Sequence, residues 1–185
     1  MEDSSPLTIR LEREFLAAVN DEDNRVFHLE LLISILESAD SWDEPILQSI
    51  FDFCFQLLEG YPREVIGNSL NILVLLGGCE ELFRPSLIRT NGLEKLMICA
   101  VKAKEMFDGE ICALVFGVFE KVFVWSEADE DLWVAIATMI EEVWRDEKIE
   151  VELEWCLGCL VMVVSDDGVA TKVCNGSLPE LLVNE

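Results

Sequence analysis

Three segments of this chain align with one another, without gaps, at intervals of 42 residues. They are residues 68–76, 110–118 and 152–160, and a fourth copy lies one interval earlier at 26–34. The dipeptide Asn91-Gly92 also recurs 84 residues later as Asn175-Gly176, which is two intervals. Self-similarity of this length is typical of helical repeat proteins. Chance matching is the competing interpretation, because 51% of the residues are hydrophobic.

The repeat register places apolar residues at equivalent positions. One position is apolar in all four copies, as Leu31, Leu73, Val115 and Leu157. Positions three or four residues away are mostly apolar too: Phe27, Ile111 and Leu153 before it, and Leu76, Val118 and Leu160 after it. Such spacings mark one face of a helix. A helical unit of this size cannot bury that face alone, so the pattern predicts a right-handed α-solenoid of about four stacked units.

Turn and capping signals divide the chain into helices. We expect helices at 7–19, 25–37, 44–58, 62–76, 80–89, 93–107, 110–124, 132–145 and 149–164, then a short helix ending at about residue 174 and a last helix at 177–185. No segment alternates like a strand, so the predicted fold is all-α. The order of short, medium and long helices is that of the three-helix armadillo unit. We expect one domain over residues 1–185, with a capping helix within 1–24 and repeats over 25–185.

The chain is strongly acidic, with 13 Lys and Arg against 37 Asp and Glu and a net charge of −24. Such a field repels nucleic acid and anionic lipid and attracts basic proteins, which are therefore the favoured partners. The alternative is that the charge only keeps an apolar chain soluble. The first residues do not read as a signal peptide, and the longest apolar run, 157–164, is too short to span a bilayer. We therefore expect a soluble intracellular protein, and its seven cysteines are expected to be reduced and mostly buried.

Several of these segments resemble a known family. The residues that carry the resemblance are Glu152-x-x-Trp155-Cys-Leu-Gly-Cys159-Leu160, then Ser165-Asp-Asp-Gly168 and Val173-Cys-Asn-Gly176, with a similar stretch from Asn68 to Leu96. They are similar to the junctions between armadillo repeats of importin-α (karyopherin-α). The resemblance covers about residues 25–185. It implies a cytoplasmic and nuclear adaptor that binds basic nuclear-localisation segments in an acidic concave groove and hands them to a transport receptor.

The resemblance also implies which residues line the groove. In importin-α, each third helix supplies a Trp and, one turn on, an Asn. At the position equivalent to the Trp, the four copies here have Leu29, Asn71, Ala113 and Trp155. At the position equivalent to the Asn, they have Ile33, Leu75, Gly117 and Cys159. Only Trp155 matches the family pattern. We expect Trp155, Glu152 and Cys159 on one helix face, with Glu110, Ala113, Gly117, Asn71 and Leu75 lining the same groove. The alternative for Trp155 is packing between repeats.

Other chemistry has little support in the sequence. Cys156 and Cys159 form a lone C-x-x-C pair, which suggests a redox or zinc site, but no second pair supplies the remaining ligands. His28 is the only histidine, and its apolar helix suggests a partly buried structural role. No motif for a phosphate loop, a nucleophile or a catalytic metal is present, so we expect no enzyme, cofactor or metal. A structural adaptor without nuclear-signal binding is the main alternative to the importin-like function.

Overall fold

The computed structural model describes residues 6–38, 44–106 and 108–125, and these residues form helices without any strand. The helices are α1 (Pro6–Asn20), α2 (Arg25–Leu36), α3 (Glu44–Leu57), α4 (Arg63–Leu76), α5 (Glu80–Arg89), α6 (Gly92–Glu105) and α7 (Gly109–Trp125). Each bound lies within two residues of the position expected from the sequence. Over the described residues the all-α prediction is confirmed. The chain divides into two compact units between residues 96 and 97, which are described separately.

Turn residues set the ends of the helices in the first unit. Gly60 adopts a positive φ of 79° in the turn before Pro62, and α4 begins directly after that proline. Asn91 adopts a φ of 54° between α5 and α6, a left-handed conformation that Asn tolerates better than most residues. Its side-chain nitrogen donates to Glu94 Oε2 at 3.1 Å, which stabilises the first turn of α6.

The helices of the first unit pack in two rows. α1 packs against α2 and α3 packs against α4, while α2 lies beside α4 and α1 touches α3. α5 adds to the row of α1 and α3 by packing on α3. Among the described residues of this unit, α2 and α4 pack extensively against no other helix, and their remaining side faces away from α1 and α3.

Aromatic side chains form the contact between α3 and α5. The rings of Phe51 and Phe55 both meet the ring of Phe83 edge-on, with centroids 5.2 and 5.5 Å apart, and all three side chains are fully buried. Edge-to-face pairs of this kind contribute about 0.5–1.5 kcal/mol beyond the burial of area. At the margin of this contact, Arg89 donates to both carboxylate oxygens of Asp52, at 2.5–3.1 Å.

Arg25 joins four parts of the first unit. Its side chain is buried, and the guanidinium donates to the carbonyl oxygens of Ala18 at 2.9 Å and Val19 at 3.2 Å, in the last turn of α1. The same group lies 5.9 Å from the ring centroid of Phe53 on α3 and 5.1 Å from that of Tyr61 in the following turn. Carbonyls at a helix C-terminus and aromatic faces both favour a cation. Arg25 therefore holds α1, α2, α3 and the turn before α4 in one arrangement.

In the second unit, α7 buries a broad apolar face. Its buried apolar residues are Ile111, Cys112, Val115, Phe116, Val118 and Phe119. The helix starts after Asp108, whose carboxylate accepts a hydrogen bond from the backbone nitrogen of Ile111 at 3.3 Å. A side-chain acceptor at this position satisfies one of the backbone donors that a helix start leaves free.

Burial follows the sequence register between α4 and α7 but not between α2 and α4. Four buried residues of α4, Ser69, Leu70, Leu73 and Leu76, lie 42 positions before the buried Ile111, Cys112, Val115 and Val118. The buried residues of α2, Leu29, Leu32 and Ile35, instead precede Leu70, Leu73 and Leu76 by 41 positions. Phe27, which the register assigns to the buried face, is 56% exposed. That assignment is wrong, because α2 is rotated by one residue relative to the alignment.

Substituting Gly92 with alanine should destabilise the fold. A Cβ at Gly92 would lie 2.7 Å from Phe55 Cδ1 and 3.0 Å from Leu87 Cδ1, and the Phe55 ring is fully buried and held by Phe83. We expect Gly92→Ala to lower the free energy of unfolding by about 1–3 kcal/mol in urea denaturation.

Gly78→Ala is the matched control, because no atom lies within 4 Å of the added Cβ. This variant should be neutral or more stable by up to about 1 kcal/mol, since alanine restricts the unfolded chain. Equal effects of the two substitutions would contradict the packing described around Gly92.

Candidate functional site

Two of the residues expected to line a groove lie on one exposed face of α4. Asn71 and Leu75 are one turn apart, and both side chains are exposed, Leu75 to 41%. An exposed leucine next to an exposed amide offers both an apolar contact and hydrogen bonds to an approaching chain. The exposed amide of Asn71 therefore presents a hydrogen-bond donor and an acceptor on the face expected to bind a peptide.

The neighbouring helix α2 extends this surface. Phe27, Glu30 and Ser34 are exposed and lie at spacings of three and four residues, so they share one face of the helix. Because α2 lies beside α4, and α1 and α3 cover the opposite side, the two exposed faces form one surface. We call this surface the α2–α4 face and define it by these three residues together with Asn71 and Leu75.

One hydrogen bond connects the two helices beneath the α2–α4 face. The side-chain nitrogen of Asn68, half-buried on α4, donates to the carbonyl oxygen of Val26 on α2 at 3.4 Å. Val26 precedes Phe27, and Asn68 lies one turn before Asn71. The bond therefore helps to set the position of Phe27 along α2 relative to that of Asn71 along α4.

Sequence reasoning missed Phe27, Glu30 and Ser34. α2 is apolar almost all the way round, so its periodicity did not identify a unique buried side. The signal that could have identified the exposed side is Glu30, the only acidic residue within the helix, because carboxylates are rarely buried unless paired. Phe27 and Ser34 lie one turn to either side of it.

In the second unit, the expected groove residues on α7 differ in accessibility. Glu110 is exposed, Ala113 is half-buried and Gly117 is buried. Gly117 therefore presents no surface to a ligand in this arrangement, while Glu110 and Ala113 do. Glu152, Trp155 and Cys159, together with Cys156, lie outside the described residues, and their roles stay predictions.

A second polar cluster lies between α1 and α2. The Glu14 carboxylate is 6% exposed and accepts hydrogen bonds from Arg13 at 2.6 and 3.0 Å. Its other oxygen lies 3.1 Å from His28 Nδ1, and His28 Nε2 lies 3.9 Å from Asp21 Oδ2. The hydrogen bond from Arg13 is the main cause that lowers the pKa of Glu14, and the bond from the imidazole adds to it against the effect of burial. His28 is half-buried between the two helices, which agrees with the partial burial expected from the sequence.

The described cysteines and acidic residues do not form a metal site. No group of three or more His, Cys, Asp or Glu side chains in residues 6–38, 44–106 and 108–125 is arranged to hold a metal ion. Cys54, Cys99 and Cys112 are buried, as expected, whereas Cys79 is exposed. Burial raises the pKa of the Cys54 thiol, which keeps it protonated. Within the same residues, no helix is long and apolar enough to cross a bilayer.

Comparison of the chain with protein-family models, with curated proteins and with solved structures gave no match. The function is therefore inferred from the described residues. Their most distinctive surface is the α2–α4 face, because it places an exposed aromatic ring and a carboxylate on one helix beside an exposed amide and leucine on the next.

Removing the Glu14 carboxylate should destabilise the fold in a pH-dependent way. We expect Glu14→Gln to lower the free energy of unfolding at pH 7 by about 1 kcal/mol, because the substitution removes hydrogen bonds to a charged carboxylate. The effect is no larger because Arg13 is exposed and solvent screens its charge. The folded-state pKa of Glu14 is lowered, so its contribution is present above the unfolded-state pKa of about 4.3 and is lost as the pH falls through the folded value.

Urea denaturation of wild type and variant between about pH 7 and pH 3 measures this difference, which should shrink at the acid end of the range. Glu12→Gln, an exposed position on the same helix, should change the free energy of unfolding by less than about 0.5 kcal/mol. A constant difference between wild type and Glu14→Gln across the range would contradict the ionised state of Glu14.

Proposed function

We propose that this chain is a non-enzymatic protein-binding scaffold of armadillo-type repeats, and that its α2–α4 face binds an extended basic segment of a partner protein. The observation that carries the proposal is the α2–α4 face itself. Two helices that occupy equivalent places in the sequence register lie side by side, and both leave one face exposed. Stacked repeats create binding surfaces in this way, by aligning the same helix of successive units.

Three features support the armadillo-type repeat. The hydrogen bond between Asn68 and Val26 joins residues that are one 42-residue interval apart. Burial on α4 and α7 follows the same interval. Helices α5, α6 and α7 have 10, 14 and 17 residues, in the short, medium and long order of an armadillo unit. The one-residue rotation of α2 is a local departure from this register.

Charge supports a basic partner. A net charge of −24 raises the local concentration of any Lys- or Arg-rich segment and speeds its association. On the α2–α4 face, Phe27 and Glu30 are one turn apart, so an aromatic ring and a carboxylate can act on the same Lys or Arg side chain. The amide of Asn71 can hydrogen-bond to the backbone of the bound segment.

If the scaffold acts as importin-α does, the partner can be specified further. A nuclear-localisation segment is the basic extended peptide that the family resemblance implies, and cytoplasm and nucleus are the corresponding locations. In that form, Trp155 and Glu152 supply a second aromatic and carboxylate pair at the same three-residue spacing as Phe27 and Glu30. A transport receptor is then the second partner.

A peptide titration tests the proposal. We expect a Lys- and Arg-rich nuclear-localisation peptide to bind weakly, with an affinity that falls at least about threefold between about 50 and 300 mM salt as screening increases. Phe27→Ala should raise the dissociation constant about two- to fivefold, because an exposed cation–π contact contributes about 0.5–1 kcal/mol. Glu30→Gln and Trp155→Ala should weaken binding in the same direction.

The matched controls lie on α5. Ile88 is 70% exposed and Glu81 is exposed, so Ile88→Ala and Glu81→Gln remove the same kinds of group from another surface. Neither should change the affinity by more than about 1.5-fold. Absence of binding at low salt would contradict the basic-segment proposal and favour a structural adaptor, and binding that is equally sensitive to the α5 variants would contradict the α2–α4 face as the site.

A further inference from the structure

An exposed stripe on α1 combines apolar and charged residues. Ile9 and Leu16 are each 57% exposed and lie seven residues apart, which is two turns and therefore the same side of the helix. Glu12 and Arg13 are exposed between them. The opposite side of α1 is buried against the rest of its unit through Leu11 and Ala18, so the stripe is the outer surface of a firmly held helix.

We propose that this stripe binds the same stripe of a second copy of the chain, with the two α1 helices antiparallel about a twofold axis. An antiparallel pair centred between Glu12 and Arg13 places Ile9 of each copy opposite Leu16 of the other. The same register places Glu12 of each copy opposite Arg13 of the other. Apolar residues thus meet apolar residues and each carboxylate meets a guanidinium, as a self-complementary twofold contact requires.

The Arg13 guanidinium can serve both Glu14 and a second copy. Its Nε and Nη2 atoms donate to Glu14 Oε1, at 3.0 and 2.6 Å. The Nη1 atom makes no such contact with Glu14, and the side chain is 71% exposed. Glu14 therefore holds Arg13 along the helix surface and leaves one nitrogen for the Glu12 carboxylate of the other copy.

The charges of α1 do not oppose self-association through this helix. Two copies that each carry −24 repel one another, and the repulsion is smallest where the contact region is neutral. Helix α1 contains two arginines and two glutamates and is therefore neutral overall. A contact between two α1 helices therefore adds no local repulsion to that between the two net charges.

The size of the stripe predicts a weak dimer. From Ile9 to Leu16 the helix rises only about 10 Å, so the contact falls well below the area of about 1,200 Å² that stable interfaces bury. We expect a dissociation constant of about 0.1–1 mM. Added salt should strengthen the dimer, because it screens the repulsion between the two acidic chains, whereas it weakens the binding of a basic peptide.

Sedimentation equilibrium of the full chain at about 20 μM to 1 mM tests the dimer. The average mass should rise from 21.0 kDa toward twice that value, and more steeply at higher salt. Ile9→Lys and Leu16→Glu should each raise the dissociation constant at least about tenfold, because each places a charge opposite an apolar residue at both ends of the contact. Both positions are exposed, so the fold should be unaffected, and circular dichroism checks this.

Mixing the two variants provides the sharper measurement. In a mixed dimer, Lys at position 9 of one copy faces Glu at position 16 of the other, while the remaining Leu16 and Ile9 still pair, so mixing should restore association to within about threefold of wild type. Mixing Ile9→Lys with Leu16→Lys, which places two positive charges opposite each other, is the control and should not restore association. The proposal would be overturned by a protein that stays monomeric at every concentration and salt, or by association that neither single variant weakens. Absence of rescue on mixing, or equal rescue by Leu16→Lys, would also overturn it.

Discussion

The arrangement of the first unit depends on a guanidinium that has been removed from water. Arg25 is 5% exposed, and an unpaired charge at that depth would cost several kcal/mol. The cost is offset by the carbonyl oxygens in the last turn of α1, by the rings of Phe53 and Tyr61, and by an ion pair with Glu22 at 3.6 Å. One residue thus requires four segments to be in place together, and few other arrangements of these helices would satisfy it.

Arg25 also sets the rotation of α2. Successive residues turn by about 100° around a helix, so Phe27 lies about 200° from Arg25, on the opposite side. Burial of Arg25 therefore exposes Phe27 and, one turn later, Glu30, although α2 is apolar enough to be buried on almost any side. The aromatic ring of the α2–α4 face is exposed because a cation two residues earlier is buried.

Electrostatics gives the two proposed surfaces opposite responses to salt. The α2–α4 face carries a carboxylate within a chain of net charge −24, so the proposed binding of basic segments depends on a field that salt screens. The stripe on α1 lies on a neutral helix, and screening removes the repulsion that opposes its contact with a second copy. The same net charge therefore favours the proposed peptide binding and opposes the proposed dimer.

The sequence by itself determined the helices, because their ends follow local signals: Pro62 precedes α4, Asn91 precedes α6 and Asp108 precedes α7. It also determined that Asn71 and Leu75 share a face, since four residues make about one turn. Only the tertiary structure decided which face each helix buries, because α2 and α7 carry apolar residues on nearly every side and burial depends on what packs against them. It placed Phe27 on the surface and Gly117 in the interior. Neither outcome could be obtained from periodicity, because periodicity describes one helix and burial is a property of the helices together.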